Sequence, residues 1–131
     1  MATIKVFLAD DNQSMLAELR EELSGEFQVS GVANNGENAV RGVVSLDPDV
    51  LVLDIIMPVM NGLQAAERLH EFHSRTKILF LTIHEEPEYI AAAFAAGANG
   101  YVSKRRLASD LAHAIREVFE GRTFLSPNLS R

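Results

Sequence analysis

Runs rich in Val, Ile, Leu and Phe recur five times, at about 4–9, 27–33, 50–53, 77–82 and 100–102, with helical patterns between them. This alternation predicts a repeated β-α unit. In the first helical stretch, about 12–24, Met15, Leu16, Leu19 and Leu23 fall on one face, while Glu18, Arg20, Glu21 and Glu22 point elsewhere. The last, about 107–120, repeats the device with Leu107, Leu111, Ala114, Ile115 and Val118 before Gly121. Further helices are expected near 36–45, 62–72 and 87–96, punctuated by Pro48, Gly62, Pro87 and Gly97. The third run, Val50-Leu51-Val52-Leu53, is apolar at every position instead of alternating, as a central parallel strand covered on both faces requires. The expected fold is α/β, a doubly wound parallel sheet of five strands with five helices. Residues 1–121 form the domain, and 122–131 read as a tail or the start of a linker.

Composition narrows the classes. A chain of 131 residues, 47% hydrophobic and 23% charged, has the material for one core and no room for a second folded domain. Its longest apolar stretches fall far short of the roughly 20 residues of a membrane helix. The apolar N-terminal run leads into acids and reads as a strand, not a leader. Cysteine is absent, which excludes disulfides and thiolate metal sites and leaves the cytoplasm as the default location. A net charge of −6 argues against this domain gripping nucleic acid directly.

Right-handed crossovers point every strand the same way, so residues just past the strand ends gather on one edge of the sheet. There the expected strands deliver Asp10 and Asp11, Asp54, Thr82 and Lys104. Taken singly, each has a plain structural reading: a helix cap, a turn residue, a strand-end hydroxyl, one charge of a basic face. Taken together they place the right polar groups at the same end of four strands. Three carboxylates repel one another, and a hard divalent cation with oxygen ligands relieves the repulsion; Mg²⁺, or Mn²⁺ in its place, fits best. Lys104 can neutralise further charge, and a carboxylate can carry a phosphoryl group as an acyl phosphate. Asp54, emerging from apolar surroundings, is the candidate acceptor.

These residues carry a resemblance to the response regulator receiver family, spanning about residues 3–121. Its motifs are Leu8-Ala9-Asp10-Asp11-Asn12, the segment Leu53-Asp54-Ile55-Ile56-Met57-Pro58-Val59-Met60-Asn61-Gly62, Thr82 after Phe80-Leu81, and Tyr101-Val102-Ser103-Lys104 after Gly97-Ala98-Asn99-Gly100. The resemblance implies the flavodoxin-like strand order 2-1-3-4-5 known from chemotaxis receivers. It further implies that Asp54 accepts phosphate from a sensor histidine kinase. Mg²⁺ would be held by Asp11, Asp54 and the Ile56 backbone carbonyl, with Asp10 assisting through water. Thr82 and Lys104 would bind the phosphoryl oxygens, and Tyr101 would change rotamer as Thr82 moves inward.

Two departures from the family's common pattern matter. Arg105 follows Lys104 where many receivers carry proline, which makes a cis peptide unexpected and a looser loop expected. Ile83 follows Thr82 where many receivers carry a small residue, so its bulk is expected to slow hydrolysis of the acyl phosphate; His84 is a second candidate modulator. The segment Thr82-Ile83-His84-Glu85-Glu86, the missing proline and the tail resemble regulators that place a LuxR/NarL-type helix-turn-helix after the receiver. DNA contact then falls to that other domain, with homodimerisation on phosphorylation as a further expectation. Alternatives are a stand-alone single-domain regulator and a phosphorylation-independent pseudo-receiver. An aspartyl-phosphate hydrolase is disfavoured because Ile56 stands where its second acid belongs. A nucleotide-binding domain is disfavoured because no glycine loop follows the first strand.

Overall fold

The computed structural model describes residues 3–130, so residues 1–2 of the expected domain and residue 131 of the expected tail lie outside the described residues. In chain order the elements are β1 (Lys5–Ala9), α1 (Gln13–Leu23), β2 (Gln28–Ala33), α2 (Gly36–Leu46), β3 (Val50–Leu53), α3 (Gly62–Glu71), β4 (Lys77–Thr82), α4 (Pro87–Ala95), β5 (Gly100–Ser103), α5 (Leu107–Phe119) and β6 (Phe124–Leu125), with a 3₁₀ turn at Lys104–Arg106. The sheet is parallel throughout, in the order β2-β1-β3-β4-β5-β6.

Period-two alternation sorts the strand side chains into two cores. Phe7, Leu51, Leu53, Ile78, Phe80 and Tyr101 face α2, α3 and α4, against Val40, Val43, Ala65, Leu69, Ile90 and Ala93. Val6, Leu8, Val50, Val52, Leu79 and Val102 face α1 and α5, against Leu16, Leu19, Leu23, Leu111, Ile115 and Val118. The unbroken apolar run of β3 is explained by this arrangement: each of its four residues is buried, alternately on one face and the other. No helix among the described residues is long and apolar enough to cross a membrane.

The expectation of five strands is corrected to six. Phe124–Leu125, read from the sequence as tail, pairs with Gly100 and Tyr101 on the open edge of β5. The Phe124 amide donates to the Asn99 carbonyl at 3.1 Å and the Ser126 amide to the Tyr101 carbonyl at 3.0 Å. Two residues carry no periodicity of their own; their strand character comes from an unpaired edge that needs hydrogen-bond partners. Gly121, at a φ of 91°, makes the turn that brings them there.

Asp110 anchors this addition to α5. Its carboxylate accepts from Arg106 Nε at 2.9 Å, Arg106 Nη2 at 3.2 Å and Ser126 Oγ at 2.8 Å. Burial pushes its pKa up, but the hydrogen bonds from Arg106, Ser126 and Ser109 and the guanidinium charge outweigh it, leaving the carboxyl below its ordinary value. The folded protein therefore holds the ionised form better than the unfolded chain does. That contribution is complete above the unfolded pKa and is lost as pH falls through the folded one. Asp110→Asn should cost about 1–3 kcal/mol in urea titrations at neutral pH, the value kept modest because Arg106 is partly exposed. The gap between the two proteins should close as the pH drops below about 4.

Candidate functional site

Backbone hydrogen bonds align the strand ends before any side chain contributes. The Asp10 amide donates to the Ala33 carbonyl at 3.1 Å and the Asp54 amide to the Ala9 carbonyl at 3.0 Å, which sets the ends of β2, β1 and β3 side by side. Asn12 caps α1, its Oδ1 accepting from the Met15 amide at 3.0 Å, so neither Asp10 nor Asp11 serves as the cap. Beyond β3 the chain turns sharply: the Gly62 amide donates to the Ile55 carbonyl at 2.7 Å, and Asn61 closes a capping box with Gln64. A Cβ on Gly62 would lie 2.0 Å from the Asp54 carbonyl oxygen, so the acceptor loop and the start of α3 require glycine there.

Three carboxylates converge on this rim. Asp10, Asp11 and Asp54 each present an oxygen such that all three lie within 4.8 Å of one another. Asp10 and Asp54 are buried and Asp11 is exposed. An all-oxygen set with one side open to solvent fits a hard divalent cation. Asp10 Oδ1 accepts from the Asn12 amide at 2.9 Å, and Asp54 Oδ1 from the Ile55 amide at 2.7 Å. Their other oxygens share one ammonium: Lys104 Nζ stands 2.8 Å from Asp10 Oδ2 and 2.9 Å from Asp54 Oδ2. Burial works to lower the pKa of Lys104, but the hydrogen bonds to Asp10 and Asp54 and their charges prevail and raise it, so the residue is a fixed cation.

The remaining predicted residues flank this centre. Thr82 ends β4 fully buried, with its Oγ1 accepting weakly from the His84 amide at 3.4 Å. Tyr101 is fully buried beside Phe80, and its hydroxyl donates to the His84 carbonyl at 2.7 Å. Burial first, then the nearby acids Glu86 and Asp54, raise its pKa, so the phenol remains a donor. Tyr101 thus packs in the core and also holds the loop after Thr82. His84 stacks on Tyr89 with ring centroids 4.5 Å apart. Ile83 stands 70% exposed, and Ile56, in the loop after Asp54, 52% exposed.

One expectation is reversed. The loop at Arg105 is tied down, not loosened. Arg105 Nε and Nη2 each lie 3.0 Å from the two Glu85 carboxylate oxygens, a bidentate pair that joins the β5–α5 junction to the β4–α4 loop. The guanidinium hydrogen bond, then that from Ser103, holds the Glu85 carboxyl below its ordinary pKa. The Lys104–Arg105 peptide is trans. Sequence reasoning missed Glu85, Ser103 and Ser126; their partners lie 16 to 23 positions away and carry no local signal of contact.

A protein family described as the response regulator receiver domain matches residues 6–116. The chain is 39% identical over 129 residues to the uncharacterized transcriptional regulatory protein YvfU of Bacillus subtilis, covering 97% of this chain and 64% of that protein. It is 38% identical over 128 residues to the transcriptional regulatory protein DesR of the same organism, covering 96% and 63%. The chain therefore spans just under two thirds of the length of both relatives. Among solved structures, a LuxR-family two-component response regulator from Aurantimonas superposes with a TM-score of 0.92 at 28% identity, over 97% of this chain and 92% of that one.

Proposed function

Because the chain belongs to the response regulator receiver domain family, we propose that it is switched by transfer of a phosphoryl group from a histidine kinase to Asp54. The observation that carries this is the convergence of Asp10, Asp11 and Asp54 with one ammonium bridging two of them. Asp54 is the nucleophile: a carboxylate oxygen attacks phosphorus, the P–N bond of the donor phosphohistidine breaks, and its electron pair leaves with the imidazole. The Ile55 amide holds Asp54 Oδ1, which leaves Oδ2, beside the Lys104 ammonium, as the attacking oxygen. Asp11, Asp54 and the Ile56 carbonyl would hold Mg²⁺ or Mn²⁺, with Asp10 behind them. When bound, the cation neutralises the acids and the charge of the phosphoryl oxygens. Lys104 stabilises the oxygens that gain charge in the transition state, and Thr82 donates its hydroxyl to the transferred group.

The new oxygens make contacts that exist in only one arrangement of Thr82 and Lys104, and this difference biases the domain between two states. Its only chemistry is on itself. Since YvfU and DesR are transcriptional regulatory proteins, the switched output is proposed to be transcription, through DNA contact outside this domain and with self-association on phosphorylation.

Incubation with acetyl phosphate should add one phosphoryl mass in the presence of Mg²⁺ and none without it, and Asp54→Asn should stay unmodified under both conditions. A second site carrying the full modification in Asp54→Asn defeats the proposal. Removing the exposed side chain after Thr82 should shorten the life of the product several-fold by admitting water. Mass spectrometry against time on Ile83→Ala reports this, and an equal or longer lifetime refutes that role.

A further inference from the structure

Ser103 is a fully buried three-way junction. Its Oγ donates to a Glu85 carboxylate oxygen and accepts from the Arg105 amide at 3.3 Å, tying it to the β4–α4 loop and to the β5–α5 junction. Its amide donates to Ser126 Oγ at 3.2 Å, and that hydroxyl in turn donates a hydrogen bond to Asp110 Oδ2 at 2.8 Å. Ser103 lies opposite Thr82 in the β4–β5 register and immediately precedes Lys104, so both groups that approach the phosphoryl oxygens are next to it. On its far side, β6 and Ser126 form a short strap laid along β5.

We propose that this strap is a phosphorylation-sensitive latch, docked when Asp54 is free and released when Asp54 carries a phosphoryl group. The inference rests on the reading of Asp54 as acceptor. Its physical basis is the completeness of the docked state. Among the described residues no buried side-chain nitrogen or oxygen lacks a partner. A phosphoryl group projects beyond the Asp54 oxygens, so Lys104 must shift outward from Asp10 and Asp54 to meet it, while Thr82 moves toward it. Ser103 sits between these two displacements. Its amide cannot follow Lys104 and keep its distance to Ser126, because Asp110 and Arg106 hold Ser126 to α5. The buried side-chain groups of the strap and of Ser103 are already partnered, so the shift has a bond to break there. β6 is only two residues long, and its side chains are half-buried, Phe124 edge-on to His113 and Leu125 packed on the core that holds Tyr101. Undocking it breaks the two backbone hydrogen bonds to β5 and the bond from the Ser103 amide, and it redirects the residues that follow Ser126.

Linkage makes the coupling reciprocal: if occupancy of Asp54 releases the strap, weakening the strap must favour occupancy. The test is amide hydrogen exchange followed residue by residue, with Mg²⁺ alone and with Mg²⁺ and beryllofluoride as the phosphoryl mimic. The Phe124 and Ser126 amides should exchange about five-fold faster or more when beryllofluoride is bound, while the Leu16 amide in α1 is unchanged. Asp54→Asn should show no such response. Ser126→Ala, which removes the two hydrogen bonds of the Ser126 hydroxyl and leaves the backbone pairing of the strap, should bind beryllofluoride about five-fold more tightly. If beryllofluoride binds in an Asp54-dependent way, yet exchange at Phe124 and Ser126 and the affinity of Ser126→Ala stay at parent values, the latch is refuted and the acceptor reading survives. If the parent does not bind beryllofluoride at all, both fall together.

Discussion

Replacing Lys104 with alanine will separate two properties that the site holds together: Mg²⁺ will bind more tightly, and phosphoryl transfer to Asp54 will be roughly a hundred-fold slower or worse. The first effect follows from the position of the ammonium. At 2.8 and 2.9 Å from Asp10 and Asp54 it already neutralises part of the charge a divalent cation would meet. Like charges some 4 Å apart near a protein surface oppose each other by about 4 kcal/mol before solvent screening. A gain of about ten-fold in affinity, or 1.4 kcal/mol, is therefore a conservative expectation for the alanine protein. The second effect follows because the same ammonium is the donor that stabilises developing charge on the phosphoryl oxygens, and no other cation in the described structure bridges the two acids. Calorimetric Mg²⁺ titration together with acetyl phosphate kinetics reads both. Weakened metal binding together with unchanged kinetics would show that Lys104 is a structural cation only.

Gly62→Ala will damage the acceptor from a position that carries no chemistry. The added Cβ would meet the Asp54 carbonyl oxygen at 2.0 Å, the Asp54 carbonyl carbon at 2.9 Å and the Ile55 Cα at 3.0 Å, all of them backbone atoms without a rotamer to yield. Overpacking of this kind costs about 1–3 kcal/mol, and more where the backbone itself must move. Relief requires displacing the loop after β3, which carries the Ile55 amide that fixes Asp54. We expect the urea midpoint to fall by an amount equivalent to about 2–4 kcal/mol with an unchanged slope. The molecules that remain folded should accept phosphate poorly. Gly25→Ala is the control: its φ of 90° imposes strain, but a Cβ there has open space, so it should cost about 1 kcal/mol and leave phosphorylation intact. Equal phosphorylation in the Gly62→Ala protein would show that Asp54 does not depend on this loop for its geometry.

Much of this architecture was legible in residue patterns because it is written in local repetition. The apolar run Val50–Leu53 announced a strand covered on both faces, and the burial of all four residues agrees. The topology rule alone led to one rim bearing Asp10, Asp11, Asp54, Thr82 and Lys104, and the structure brings the three acids and Lys104 together there. What escaped has no local signature. The strand Phe124–Leu125 exists because β5 has a free edge, a property of the assembled sheet. The ion pair of Glu85 with Arg105 joins residues that are unremarkable charges in sequence, and it inverted the expectation drawn from a missing proline. The bridging of Asp10 and Asp54 by a single ammonium depends on side-chain reach across strands that sequence spacing does not encode.

The most direct test of the central claim is a crystal structure of the protein grown with Mg²⁺ and beryllofluoride. The account predicts beryllium bonded to a carboxylate oxygen of Asp54, Lys104 Nζ and Thr82 Oγ1 in contact with its fluorines, and the metal held on the opposite side by Asp11, Asp54 and the Ile56 carbonyl. A complex formed at any other residue, or a metal bound with Asp54 and Lys104 still paired and no fluoride beside them, would contradict it.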